Sequence, residues 1–143
     1  MRVGLWLNSI GGILLEDGAP EEALGVFEES LEIAKINYGE ESVQSAACYG
    51  CLGDVFSELE DYEVAEENYL EGIKILTVIG SKNAESKENL IELMMQLARL
   101  LQKQGKNLRA SLMLQDALRI GKEIYDEDHP RILGIIERLQ EIN

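Results

Sequence analysis

Apolar and small residues return along this chain at spacings of three and four. Leu7, Ile10, Gly11 and Leu14 share one helical face, and Ala23, Phe27, Ser30 and Leu31 share another. This is the period of paired amphipathic helices, not the alternation of a strand. The turn between the two faces is Asp17-Gly18-Ala19-Pro20, and Pro20 suits a first helical turn, whose N–H groups lack partners in any case.

The pattern then repeats. Leu7, Ile10, Gly11, Leu14, Gly18, Ala23, Phe27, Ser30, Leu31 and Ile33 recur 42 residues later as Tyr49, Leu52, Gly53, Phe56, Glu60, Ala65, Tyr69, Gly72, Ile73 and Ile75. A further 45 residues on they recur as Met94, Leu97, Ala98, Leu101, Gly105, Ala110, Leu114, Ala117, Leu118 and Ile120. The extra residues fit a longer loop at Gly80–Ser86, marked by Gly, Ser and Asn. Gly11, Gly53 and Ala98 are small where paired helices must approach, Ala23, Ala65 and Ala110 are their small partners, and Phe27 and Tyr69 fill the space beside them. Glu60 stands where the other units have glycine, at a small backbone cost. After Pro130, the residues Ile132, Ile135, Ile136, Leu139 and Ile142 form a seventh, short amphipathic helix. Two roles fit it: a cap on the exposed side of the last unit, or the first helix of a further unit in a longer chain.

This pattern resembles the tetratricopeptide repeat (TPR) family, and its 42-residue spacing is similar to the kinesin light chain subgroup. Ala117-Leu118-Arg119-Ile120 followed by Tyr125-Asp126-Glu127-Asp128-His129-Pro130 is similar to the inter-repeat segment of that subgroup. The first loop, from Leu31-Glu32-Ile33 to Tyr38-Gly39-Glu40-Glu41-Ser42, keeps the spacing but lacks the His-Pro pair. The resemblance covers residues 4–143. It implies an all-α, right-handed superhelical solenoid of three helix-turn-helix units plus a C-terminal capping helix. The expected organisation is a single domain over 1–143, with repeats at 4–37, 46–79 and 88–125 and a capping helix or partial fourth repeat at 130–143. An unrelated antiparallel bundle is the alternative fold.

In such a stack the concave groove is lined mainly by the first helix of each unit. The periodicity places Leu5, Asn8, Gly12, Leu15 and Glu16 there in the first unit, and Ala47, Gly50, Cys51, Asp54, Ser57 and Glu58 in the second. In the third it places Glu92, Met95, Gln96, Arg99, Gln102 and Lys103, with Lys106 at the following turn. Asp54 and Glu58 hold the positions that Arg99 and Lys103 hold one unit on. Such pairs fit salt bridges between repeats, worth about 0–1 kcal/mol each at an exposed surface. They equally fit a bound peptide whose basic residues face Glu16, Asp54 and Glu58 while an acidic group faces Arg99, Lys103 and Lys106. Apolar side chains spread around most of the helix from Leu90 to Leu101, which therefore needs cover on more than one side. Met95, directed into the groove, suits an apolar anchor.

Charge narrows the partner. Residues 1–75 hold 17 acidic and 3 basic residues, whereas residues 76–143 hold 10 of each, so the whole excess of −14 lies in the first half. So acidic a surface repels phosphate backbones and anionic headgroups, which excludes nucleic acid and membrane surfaces as expected partners. No apolar run reaches the ~18 residues of a membrane span, and Asn8, Ser9 and Glu16 interrupt any signal-peptide core. A chain of 143 residues with two cysteines has no disulfide framework, so a reducing, cytoplasmic setting is expected.

Candidate chemistry is thin. Cys48-Tyr49-Gly50-Cys51 is a Cys-x-x-Cys, but redox use comes with a βαβ setting and a zinc site needs four ligands, where His129 is the one further candidate. Two small thiols in a crowded helix explain it as well. The acidic triplet before His129 lacks the alternating oxygens of a calcium loop and reads as a helix stop and restart at Pro130. No phosphate loop or nucleophile elbow occurs, so neither enzyme activity nor a cofactor or metal is expected. The family's chaperone-tail binders clamp carboxylates with Lys, Arg and Asn, whereas the matching positions here hold Asn8, Gly12, Cys51, Glu92 and Gln96. No binding of EEVD tails is expected. The leading reading is an adaptor or scaffold domain that binds a partner peptide or helix in its groove. The second is a structural subunit of a stable assembly, with the groove unused or filled by its own chain. A protein responsive to redox state or metal through Cys48 and Cys51 is the third.

Overall fold

The computed structural model describes residues 3–80 and 83–142, with side chains from Leu7 onward. Among the described residues there are seven α-helices and no strand: α1 (Val3–Glu16), α2 (Pro20–Tyr38), α3 (Val43–Glu58), α4 (Tyr62–Ile79), α5 (Ala84–Lys103), α6 (Asn107–Ile124) and α7 (Pro130–Ile142). They form two compact units, Met1–Ile79 with α1–α4 and Gly80–Asn143 with α5–α7. No described helix is long and apolar enough to cross a membrane.

Each helix pair turns on the same hydrogen bonds. In the first, Ala19 N–H donates to Leu14 O at 2.8 Å and Gly18 N–H to Leu15 O at 3.2 Å. Asp61 to Phe56 O at 2.9 Å and Glu60 to Ser57 O at 3.1 Å close the second, and Lys106 to Leu101 O at 2.8 Å and Gly105 to Gln102 O at 3.0 Å close the third. This paired closure satisfies the last helical carbonyls only if the residue past the helix end is left-handed. Gly18 has φ 79°, Gly105 φ 76°, and Glu60 is forced to φ 62°. The glutamate accepts the strain because the turn is over-determined by its neighbours.

Close approach within the pairs follows the expected rule. A Cβ built on Gly11 would stand 2.6 Å from the Phe27 ring, and one built on Gly53 would stand 2.5 Å from the Tyr69 ring. In the third pair the equivalent positions hold Ala98, with the extra methyl, and Leu114, both fully buried. Volume moves from one helix to the other at constant fit. In the first unit Ala23, Phe27, Leu31 and Ala34 of α2 share a core with Cys48, Leu52 and Val55 of α3, and Leu14 and Leu15 of α1 lean on it.

Helix α5 departs from expectation at its start. The Gly80–Ser86 loop is shorter than the spacing suggested, because Asn83 Oδ1 accepts the Ser86 N–H at 2.8 Å and the helix begins at Ala84. Asparagine, read as a loop former, is here an N-cap, so the inserted residues lengthen α5 to 20 residues against 16 in α3. Ser42 caps α3 in the same way, accepting from Ser45 N–H at 3.1 Å. On the densely apolar α5, Leu90, Ile91, Leu93, Met94, Leu97, Ala98, Leu100 and Leu101 are all buried and Met95 is half-buried.

The chain then restarts as expected at Pro130. His129 Nδ1 accepts the Arg131 N–H at 3.1 Å and its ring stacks on Tyr125, with centroids 4.0 Å apart. His129 is a cap and a stacking partner. Ile132 and Ile135 of α7 are fully buried, and a Cβ at Gly121 of α6 would meet the Ile132 side chain at 2.9 Å.

Candidate partner-binding surface

The residues that the periodicity singled out lie on α1, α3 and α5, with Lys106 just beyond α5. On α1, Glu16 is exposed, while Asn8, Gly12 and Leu15 are half-buried; the side chain of Leu5 lies outside the described residues. Asn8 is a structural hub. Its Oδ1 accepts from Ser30 Oγ at 2.7 Å and lies 4.0 Å from Cys48 Sγ, which is 3.5 Å from the same hydroxyl. Three helices meet in this polar contact, because Asn8 belongs to α1, Ser30 to α2 and Cys48 to α3. Leu15 leans on the core, and Gly12 has open space where a Cβ would stand.

On α3, Asp54 is half-buried and accepts a hydrogen bond from the Tyr69 hydroxyl of α4. That bond gives a core aromatic a place for its polar end and ties the carboxylate to the fold. Glu58 is exposed; Ala47, Cys51 and Ser57 are half-buried and Gly50 is buried. Both cysteines are free. Burial, then the nearby Asp54 and Cys48, pushes the Cys51 thiol up to about 12, and burial also raises Cys48. Near neutral pH both are protonated thiols, the unreactive form.

On α5, Arg99 and Lys103 are exposed, as is Lys106 in the turn that follows, and Met95, Gln96 and Gln102 are half-buried. None of the three cations has an ion-pair partner among the described residues. Here α7 adds what the sequence did not suggest. Arg131 Nη1 donates to Glu92 Oε2 at 2.8 Å and approaches Met95 Sδ at 3.7 Å. Arg138 donates from Nη1 to the Met95 carbonyl at 3.3 Å and from Nη2 to Gln102 Oε1 at 3.0 Å. Three residues assigned to the groove, Glu92, Met95 and Gln102, are therefore contacted by the chain's own last helix. The one available signal was the seven-residue spacing of Arg131 and Arg138, which sets both on one side of α7. Burial, and then the charge of Arg99, lowers the Arg138 pKa, so these two guanidiniums form a like-charged pair on one surface.

A cavity of about 160 Å³ in the first unit was also missed; Glu40, Glu41, Tyr49, Glu71, Lys74, Ile75 and Val78 line it. Lys35 Nζ lies 5.9 Å from the centroid of the Tyr49 ring. Its residues come from the α2–α3 connection, α3 and α4, so no single helical period could have grouped them. No group of three or more His, Cys, Asp or Glu able to hold a metal occurs among the described residues.

A tetratricopeptide repeat family model matches residues 2–77, and a second tetratricopeptide repeat model matches residues 90–131. No curated protein matches the chain. Among solved structures, the nearly identical TPR-like repeats assigned to a Podosopora anserina kinesin light chain superpose with a TM-score of 0.79 at 18% identity, covering 95% of this chain and 63% of that one. A variant of that protein gives 0.81 at 16% identity, covering 99% and 66%. BtubC (BKLC) of P. vanneervenii gives 0.71 at 19% identity, covering 95% and 61%. This chain spans less than two thirds of each of those structures. At such identities the likeness is one of fold, an all-α arrangement of helix-turn-helix repeats.

Proposed function

Because the chain belongs to the tetratricopeptide repeat family, a family of protein–protein interaction modules, we propose that it is an adaptor or scaffold domain that binds a partner peptide or helix on its first-helix surface. The observation that carries this reading is the set of exposed cations Arg99 and Lys103 at the end of α5 and Lys106 in the turn after it, none of them in an ion pair among the described residues. Placing Arg138 beside Arg99 costs repulsion that an acidic group from a partner would relieve. Acidic side chains of the partner face these cations on the second unit; on the first unit, taken by itself, Glu16, Asp54 and Glu58 suit basic ones. Met95 supplies an apolar contact at the edge of α7. The module is not an enzyme, works in the cytoplasm, and takes no chaperone EEVD tail, since Glu92 has the wrong sign for a carboxylate.

Charge reversal tests the proposal. Capture of partners by the Arg99→Glu, Lys103→Glu chain, read by affinity purification and mass spectrometry, is expected to fall against the parent. A second reading, a structural subunit whose groove is filled by its own chain, draws on the contacts of Arg131 and Arg138 with Glu92, Met95 and Gln102. It predicts unchanged capture, and that result would sink the adaptor reading.

A further inference from the structure

The cavity of the first unit shares no residue with the surface proposed above, and its walls are of two kinds. Tyr49, Ile75 and Val78 form an apolar side, with Ile75 buried and Val78 58% exposed. Glu40, Glu41 and Glu71 form an acidic side, against a single lining cation, Lys74. None of these four charges has an ion-pair partner among the described residues. Carboxylates gathered beside an apolar wall repel one another, and a rigid frame keeps them together. Gly39 O accepts from Ser42 Oγ at 2.9 Å and from Ser45 Oγ at 2.8 Å, while Gly39 N–H donates to Lys35 O at 3.0 Å. The connection carrying Glu40 and Glu41 is thereby tied to α2 on one side and α3 on the other.

Size and chemistry specify what fits. At about 160 Å³ the cavity is smaller than the roughly 300–1,000 Å³ of sites for drug-sized ligands, which leaves room for one side chain. Its walls select an aliphatic stem with a positive end. Lys35 Nζ, 5.9 Å from the centroid of the Tyr49 ring, shows that this ring accepts an ammonium. The second unit supplies a precedent. The positions 45 residues on from Ser42 and Val78 are Lys87 and Glu123, and there Lys87 Nζ meets Glu123 Oε2 at 2.9 Å with the lysine side chain 23% exposed. In the first unit Ser42 stands in place of that lysine and caps α3 instead.

We propose that this cavity receives a lysine side chain of a partner polypeptide, its stem along Tyr49, Ile75 and Val78 and its ammonium held by Glu40, Glu41 and Glu71. A second copy is a poor occupant, because the −14 carried by residues 1–75 repels its like. The site goes beyond the adaptor reading and does not depend on it, since Arg99 and Lys103 take no part.

The probe is the capped tripeptide acetyl-Ala-Lys-Ala-amide, titrated into the isotope-labelled whole chain and followed by amide chemical shifts. A peptide with norleucine for lysine keeps the stem and lacks the charge. Saturable millimolar binding is expected, with shifts gathered at the residues lining the cavity and binding of the norleucine peptide weaker by about tenfold. Glu41→Gln, Glu71→Gln should weaken the lysine peptide by about tenfold. Glu28→Gln, Glu29→Gln, which removes the same charge from exposed positions of α2, should change it by less than about twofold. Lys74→Gln, at an exposed position, should tighten binding severalfold, and it carries the test should the first pair fail to fold by circular dichroism. Equal weakening by the two glutamine pairs, equal affinity for the two peptides, or shifts spread over the whole acidic half would reduce the effect to bulk charge or apolar contact. Any of these overturns the proposal, as does no saturable binding. In sedimentation velocity, a dimer of the parent that Glu41→Gln, Glu71→Gln abolishes would give the cavity to a second copy and also overturn it.

Discussion

Adding a methyl group at Gly11 or Gly53 would drive it into an aromatic ring, and the third pair shows how the fold accommodates that methyl. Ala98 has it, and Leu114 replaces the ring. Overpacking of this kind costs about 1–3 kcal/mol, partly offset by the ~1 kcal/mol preference of a helix for Ala over Gly. Gly11→Ala should therefore destabilise the chain, and Gly11→Ala with Phe27→Leu should be more stable than the sum of the single changes by about 0.5–1 kcal/mol in urea denaturation. Simple additivity would show that the two side chains do not compete for space. The buried thiols give a second expectation. Folding raises the Cys51 pKa from its ordinary 9.0 to about 12, so its contribution to stability is intact below about pH 9 and is lost as pH climbs toward 12. Thermal melts should show alkaline destabilisation above pH 9 that Cys51→Ala reduces; an identical pH profile in the variant would place the effect elsewhere. The small-against-aromatic rule was legible in the sequence because it recurs at fixed spacing. The contacts of Asn8 with Ser30 and Cys48, and of Asp54 with Tyr69, were not, because each depends on how two helices are rotated against one another.

At the scale of the element, helix count and pairing follow from apolar period and turn chemistry, and both were readable. The start of α5 was not: Asn83 serves a loop and a cap equally well until the Ser86 N–H is seen beside it. Helix α7 was legible as an amphipathic segment through its isoleucines, but not as the neighbour of Glu92, Met95 and Gln102, since arginines on a helix read as solvated surface. Its hold on the second unit is mainly apolar. Ile135→Ala should cost about 2–4 kcal/mol by emptying a fully buried site, whereas Lys87→Ala, which breaks the 2.9 Å surface pair with Glu123, should cost under about 1 kcal/mol. Urea midpoints of the two variants decide the order, and equal losses would mean that the Ile135 side chain contributes no more than an exposed ion pair.

For the whole molecule the dominant quantity is charge, and it can be read without a structure. All of the −14 lies in residues 1–75, where self-repulsion opposes compaction. Screening should relieve it. Raising salt from about 20 mM to about 200 mM, which shortens the Debye length to under ~10 Å, is expected to raise the Tm by a few degrees. A falling Tm would mean that attractive pairs outweigh the repulsion.

The exchange of Gly and aromatic for Ala and Leu also bears on how the chain finds its fold. Repeats that look alike risk coupling with the wrong neighbour as they form. A helix bearing Ala98 cannot accept one bearing Phe27 or Tyr69 without a collision, while Leu114 set against Gly11 or Gly53 would leave a void. The third pair is thereby keyed to itself, and a non-native partnership between its helices and those of the first two pairs is penalised from either side.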